Sequence, residues 1–259
     1  LIESVEMNVI FTEDFSKYKE EILGILKNFG SGGTMIGSGG RNVIKFFAVK
    51  DRLFNFKSFK QHNIINRHVY KFYRKSKARR SFEYAHLLLE NNFYTPKPIA
   101  YIENHDFIGL TSSYYVSEQL EDSFTLEEIL YDREFAERID IIKGYTQLIY
   151  NLHEHGIQFI DNAAGNFLIR KEEGHYRFYI VDLNRMNFFE HIEINKRLKN
   201  FARFTIDKEI MTIIGEEYAR LSGQSIDFCL NKIFDASRKM LLKRKVKKVL
   251  KLYKHVIKI

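Results

Sequence analysis

The sequence predicts an α+β chain in two lobes, strand-rich over residues 1–118 and mainly helical over 119–259. Three observations carry this. Short runs rich in aromatic and β-branched residues, at 43–49, 53–59, 98–103 and 112–118, all lie before 118. Apolar residues at helical spacing dominate after it. The chain's two prolines sit together in Thr95-Pro96-Lys97-Pro98, a stiff extended connection that ends the helix before it.

Taken in order, residues 14–28 (DFSKYKEEILGILKN) read as a helix, and the glycine-rich stretch from Gly30 to Gly40 interrupts it. VIKFFAV (43–49) and LFNFKSF (53–59) read as strands joined by the turn Lys50-Asp51-Arg52. SKARRSFEYAHLLLEN (76–91) reads as a helix, and strands follow at 98–103 and 112–118. Helices are expected at 124–131 and 134–154 and again beyond 195, with one short hairpin, 167–170 and 177–182, inside that half.

Hydrophobic residues make up 45% of the 259, enough for a sizeable core, which excludes a disordered chain. The single cysteine, Cys229, excludes a disulfide framework and a cysteine-based zinc site, and fits a reducing compartment. No run approaches 18 consecutive apolar residues, so no transmembrane helix is expected, and LIESVEMN lacks the cationic start of a secretory signal. The net charge of +8 favours anionic partners. It is concentrated in two places. Residues 71–80 (KFYRKSKARR) hold six Lys/Arg and no acid, and 238–258 hold ten and no acid. In the second stretch Leu241, Leu242, Val246, Val249, Leu250 and Leu252 recur at helical spacing, the pattern of an amphipathic basic helix. It suits an anionic membrane surface, or equally a terminal helix docked on the body with its lysines in water. The nine histidines show no metal-ligand spacing, and His153 and His155 read as helix-end residues.

The chemistry concentrates in a few segments. Asp161 is followed five residues later by Asn166, in a loop between a long helix and a short strand. Sixteen residues further on, Asp182 ends the apolar run Ile180-Val181. Phosphoryl transfer needs such a set: one carboxylate to accept the proton of the attacking hydroxyl, and an amide oxygen with a second carboxylate to hold Mg²⁺ on nucleotide phosphates. Upstream, Lys57 lies in a strand among phenylalanines, where a charge is costly unless paired, and Glu83 in the following helix is the expected partner. Gly37, Gly39 and Gly40 lie between strand candidates, where backbone amides can cover phosphates. Singly, each residue has a plainer explanation: Lys57 an edge-strand charge, Glu83 a solvated helix residue, Asp161, Asn166 and Asp182 turn formers or caps, the glycines a bend.

Together these residues resemble the protein-kinase-like superfamily. Asp161 and Asn166 match its catalytic-loop pair, Asp182 its metal-binding Asp, Lys57 and Glu83 its strand lysine and helix glutamate. Glu118-Gln119-Leu120 then occupies the place of the hinge, so the resemblance implies that Glu118 and Leu120 receive adenine. Lys57-Ser58-Phe59-Lys60 with Asn63, Tyr70 and Arg74 to Ser81, then Thr95 to Ala100, and Gly165-Asn166 with Asp182-Leu183-Asn184-Arg185-Met186, look like the lipopolysaccharide core-sugar kinases, the Kdo and heptose kinases. The likeness spans roughly residues 37 to 190. Phe159-Ile160 stand where protein kinases usually have His-Arg, and Asn162-Ala163-Ala164 follow the Asp.

The resemblance implies ATP and Mg²⁺ and transfer to a hydroxyl of Kdo or heptose in the lipid A–core precursor. Its partners would be a lipid-anchored anionic glycan and, through the basic tail, the cytoplasmic face of the bacterial inner membrane. Arg74, Lys75, Lys77, Arg79 and Arg80 are candidates to hold the acceptor. A pseudokinase that binds nucleotide without turnover stays open, as does a protein or small-molecule kinase on the same fold. No motif supports nucleic-acid binding.

Overall fold

The computed structural model describes residues 6–37, 42–59 and 74–256, and the chain divides into two compact units. The first comprises Leu1–Asp122 with Tyr179–Asn184, the second Ser123–Phe178 with Arg185–Ile259.

The first unit is a six-stranded antiparallel sheet. Its strands are β1 (Glu6–Phe11), β2 (Thr34–Ile36), β3 (Asn42–Val49), β4 (Arg52–Phe59), β5 (Pro98–His105) and β6 (Leu110–Glu118), in the order β1-β5-β6-β4-β3-β2. A 3-10 turn at Glu13–Tyr18 and helix α1 (Lys19–Lys27) precede β2, and helix α2 (Lys77–Glu90) follows β4. Alternation along β4 sends its residues to two faces. Phe54 and Phe56 are fully buried in a cluster with Phe15, Tyr18, Ile22 and Ile102. Phe59, and with it Lys57, points the other way, where Ala78 and Phe82 of α2 pack with Tyr101. Each such phenylalanine contributes about 2–3 kcal/mol of burial. Lys45 on β3 is also buried, and its ammonium donates to the carbonyls of Phe29 and Gly32, both at 2.8 Å, pinning the start of the glycine-rich stretch.

The second unit holds β7 (Phe124–Thr125), α3 (Leu126–Tyr131), α4 (Arg138–Glu154), β8 (Ile157–Phe159), β9 (Phe167–Glu172), β10 (His175–Ile180, whose last two residues pass to the first unit), β11 (Met186–Phe188), α5 (Ile194–Lys199), α6 (Lys208–Ser222) and α7 (Ile226–Val256). Helix α4 buries Ile141, Ile142, Tyr145, Ile149 and Leu152, a stripe at helical period, and packs on α6. Between α4 and β8, Gly156 has φ +70°, and a Cβ there would stand 1.9 Å from the carbonyl oxygen of Phe189. Only glycine fits that turn.

Several expected elements shift. The helix expected at 124–131 begins as strand β7, because Thr125 caps α3 through a reciprocal bond with Glu128. The helix expected from 134 begins at Arg138, and that expected at 14–28 splits into the 3-10 turn and α1. Strands β1, β2, β8 and β11 are additions to the sequence expectation. The unit border lies after Asp122 rather than 118, and Tyr179–Asn184 joins the first unit. Backbone bonding explains this: Ile180 N–H donates to Tyr94 O (3.0 Å), and Thr95 Oγ1 donates to Ile180 O (2.8 Å). The described part of the basic tail lies in the second half of one 31-residue helix, α7, and its Leu242, Val246, Val249 and Leu250 are exposed.

Candidate active site

The first unit brings Lys57 to Asp182. Nζ lies 2.5 Å from Asp182 Oδ1, and the lysine side chain is only 11% exposed. Asn184 Nδ2 donates to the same oxygen at 2.6 Å. Asp182 has φ +59°, a left-handed conformation that a non-glycine residue adopts at a cost and that recurs at functional positions. The ammonium in the phenylalanine-rich strand is thus paired, as its burial requires.

The expected pair of Lys57 with Glu83 is corrected by the structure. Glu83 instead accepts from Lys75 Nζ (2.8 Å) and Arg79 Nε (2.9 Å). Arg79 is one helical turn away on the same face, so this pairing is local, while Lys57 takes the carboxylate of Asp182. Burial alone would raise the Glu83 carboxyl, but the hydrogen bonds from Lys75 and Arg79 outweigh it and hold it below the usual carboxylate range. Lys75 and Arg79 therefore serve Glu83. Lys77 Nζ lies 5.9 Å from the Phe59 ring centroid, Arg80 Nε reaches Ser76 O at 3.4 Å, and Arg74 is exposed at the start of this segment. Lys60, Asn63, Tyr70 and residues 71–73 lie outside the described residues, as do Gly39 and Gly40. Gly37 is described, with φ +73° and open space around it. At the expected hinge, Glu118 N–H donates to Lys97 O and Gln119 N–H to Leu53 O, both at 2.9 Å. Glu118's carboxylate takes Arg52 at 2.7 Å, and Leu120 O accepts from Gln119 Nε2 at 3.2 Å.

The second unit brings Asp161 and Asn166 together in the loop after β8. Asn166 Nδ2 donates to Asp161 O at 2.8 Å, which commits the amide nitrogen and turns its oxygen into the acceptor end. Asp161 Oδ1 accepts from Arg185 Nη1 (2.8 Å) and Arg203 Nη1 (2.7 Å). Two arginines distant in sequence thus hold the Asp161 carboxylate. Asn162, fully buried, anchors the loop: it accepts from Tyr145 Oη at 2.7 Å and donates to Asn200 O at 3.2 Å. Asn200 Nδ2 donates to Phe159 O (2.8 Å), so its Oδ1 is the acceptor facing His153 Nε2 at 3.0 Å. His153 then carries its proton on Nε2 and accepts Tyr218 Oη at Nδ1, 3.0 Å away. Burial pushes His153 down to about 4, while the bond to Asn200 opposes the shift. His153 is structural, and His155 closes α4 with Nδ1 at 2.9 Å from Asn151 O, consistent with their helix-end reading.

The donor chemistry fits Mg²⁺. Asp182 in the first unit and Asn166 in the second each carry the hard oxygen donor type that Mg²⁺ takes. Among the described residues no group of three or more His, Cys, Asp or Glu clusters as a softer metal would require. Sequence reasoning missed Arg203 and the Asn162–Asn200–His153 network, since neither has a local spacing signal.

Comparison with known proteins bears on all of this. A family model described as the lipopolysaccharide kinase (Kdo/WaaP) family matches residues 33–222. No curated protein sequence matches the chain. Among solved structures, WaaP in complex with acyl carrier protein aligns over 93% of this chain and 98% of that one, at TM-score 0.61 and 15% identity. The Rio2 kinase of Chaetomium thermophilum, solved as its ADP/Mg²⁺-phosphoaspartate complex, aligns over 88% and 77% at TM-score 0.45 and 16% identity. The strand-rich and helical units are the two lobes of a protein-kinase-like fold, as the sequence predicts. With a family match over well more than half its length, the chain belongs to the lipopolysaccharide kinase (Kdo/WaaP) family, kinases that phosphorylate sugars of the lipopolysaccharide core.

Proposed function

We propose that the chain transfers the γ-phosphoryl group of ATP to a hydroxyl of Kdo or heptose in the lipid A–core precursor. The observation that carries this is the Lys57–Asp182 pair at 2.5 Å, which joins the phosphate-binding cation to the metal-holding carboxylate across 125 residues of sequence. When bound, Mg²⁺ supplies charge neutralisation on the phosphates. Lys57 would hold the α and β phosphates, and Asp182 and Asn166 are the residues that would offer the metal oxygens. Gly37, with Gly39 and Gly40, supplies backbone amides, and Glu118 and Leu120 receive adenine on their backbone. Glu83 keeps Lys75 and Arg79 in place rather than Lys57.

Asp161 is the base. Arg185 and Arg203 hold its Oδ1, and Oδ2 takes the acceptor's hydroxyl proton. The acceptor oxygen bonds to the γ-phosphorus as the bond to the β-phosphate oxygen breaks, leaving ADP.

Helix α7 supports a peripheral site on the cytoplasmic face of the bacterial inner membrane. Leu242, Val246, Val249 and Leu250 are 50–62% exposed on a helix whose neighbouring positions are Lys and Arg. A cavity of about 890 Å³ nearby is lined by Phe234, Leu241 and Leu242 together with Lys208, Arg238 and Lys245. Exposed apolar residues set among cations are what an anionic membrane surface binds. Among the described residues no helix is long and apolar enough to cross a membrane.

The test is transfer from γ-labelled ATP with Mg²⁺ to Kdo-lipid A, with a heptosylated acceptor and a basic peptide in parallel. Label on either glycan supports the proposal and names the sugar, whereas label on the peptide alone, or on none, contradicts it.

A further inference from the structure

The second unit holds a cavity of about 290 Å³ lined in part by Ile160, next to Asp161 in sequence, and by Arg203. Lys196, Lys199 and Arg203 line it, together with Gln158 and Asn187, which hydrogen-bond each other at 3.2 Å. The three cations recur at i, i+3 and i+7 along α5 and the 3-10 turn that continues it (Asn200–Arg203), so they share one face. No carboxylate lines the cavity. Lys199 forms no ion pair among the described residues, and Lys196 rests its ammonium 3.6 Å from the centroid of Phe189. Like charges on one helix face repel one another, and a bound anion relieves that repulsion. Arg203 joins this cavity to the catalytic residue, since its Nη1 is the 2.7 Å donor to Asp161 Oδ1.

We infer that this cavity is the subsite for a carboxylate carried by the acceptor next to the hydroxyl that Asp161 deprotonates. The inference rests on Asp161 being the base. Lys196 and Lys199 supply charge, Gln158 and Asn187 supply amide hydrogen bonds, and Arg203 fixes the distance between the anion and the base. The acceptor-binding cations are then mainly these, rather than Lys75 and Arg79, whose charge is spent on Glu83.

The test compares the full chain with its Lys196→Ala/Lys199→Ala double variant, and with Lys19→Ala/Lys27→Ala, which removes equal charge from the other unit. Binding of inorganic phosphate is measured by calorimetry at low salt. Turnover is measured with Kdo-lipid A and with its carboxylate methyl ester. The double variant at 196 and 199 is expected to lose phosphate affinity and to raise KM for the acid about tenfold, with the ester's KM changed less than about twofold and the ATP KM unchanged. The control variant is expected to match the wild type. Equal changes with acid and ester, or equal phosphate binding in all three proteins, overturn the subsite. Phosphate binding lost without any change in discrimination between acid and ester overturns its assignment to the acceptor. If no acceptor is phosphorylated, the kinase assignment fails by itself, and direct binding of the acid and ester without ATP still decides the subsite.

Discussion

Arg203 donates to Asp161 at 2.7 Å across 42 residues of sequence, and Arg185 donates to the same carboxylate oxygen at 2.8 Å. One carboxylate oxygen of Asp161 is held from two directions, and in the proposed role the other takes the acceptor's proton. Replacing Arg203 with Ala should lower kcat about tenfold with little effect on ATP KM, because positioning of a catalytic group is worth factors of this size. Arg203→Lys should recover part of the loss. Steady-state kinetics on both substrates separate this from a folding defect, which would lower the active fraction without distinguishing Lys from Ala.

Lys57→Met should raise ATP KM and lower kcat by about 10²-fold, the scale on which charge stabilisation at a transferring phosphoryl group operates. The substitution also leaves the Asp182 carboxylate with Asn184 alone, so Mg²⁺ affinity should rise as nucleotide affinity falls. Mg²⁺ titration in the absence of nucleotide checks the sign.

His153 gives the protein a pH-dependent stability. Its ordinary value is 6.5 and burial lowers it to about 4, so the unfolded chain binds more protons between these limits. Stability is therefore complete above pH 6.5 and falls as pH drops toward 4, by about 3 kcal/mol at most from this group. Urea unfolding from pH 7 to 4 should show the loss, and His153→Gln should flatten the slope over that window even if it lowers stability overall.

Deleting residues 243–259 should weaken binding to anionic vesicles more than to neutral ones, since the segment carries exposed Val246, Val249 and Leu250 among lysines. Vesicle sedimentation with a circular-dichroism check of folding reads this out. Equal binding before and after deletion contradicts membrane docking through α7.

What was legible in the sequence was whatever short-range chemistry dictates. The run LFNFKSF marked β4, in which Lys57 and Phe59 share a face, and the helix read from residue 76 is α2, capped by Ser76 whose side chain accepts from Arg79 N. The spacing of Asp161 and Asn166 located a loop that the structure closes with a side-chain bond. Charge partners were not legible, because they are tertiary. Lys57 has carboxylates at both 83 and 182 from which to draw, and only packing decides between them. Edge strand β1 (EMNVIF) is short and mostly exposed, so its pattern is weak without β5 beside it. Exposure of the tail's apolar residues likewise depends on what α7 packs against, which periodicity does not reveal.

The role of Asp161 is tested most directly by a single-turnover measurement of phosphoryl transfer from ATP and Mg²⁺ to Kdo-lipid A by the wild type, Asp161→Ala and Asp182→Ala. The wild type should transfer label, Asp161→Ala should bind ATP without transfer, and Asp182→Ala should lose Mg²⁺-dependent nucleotide binding. Transfer at the wild-type rate by Asp161→Ala would contradict that role.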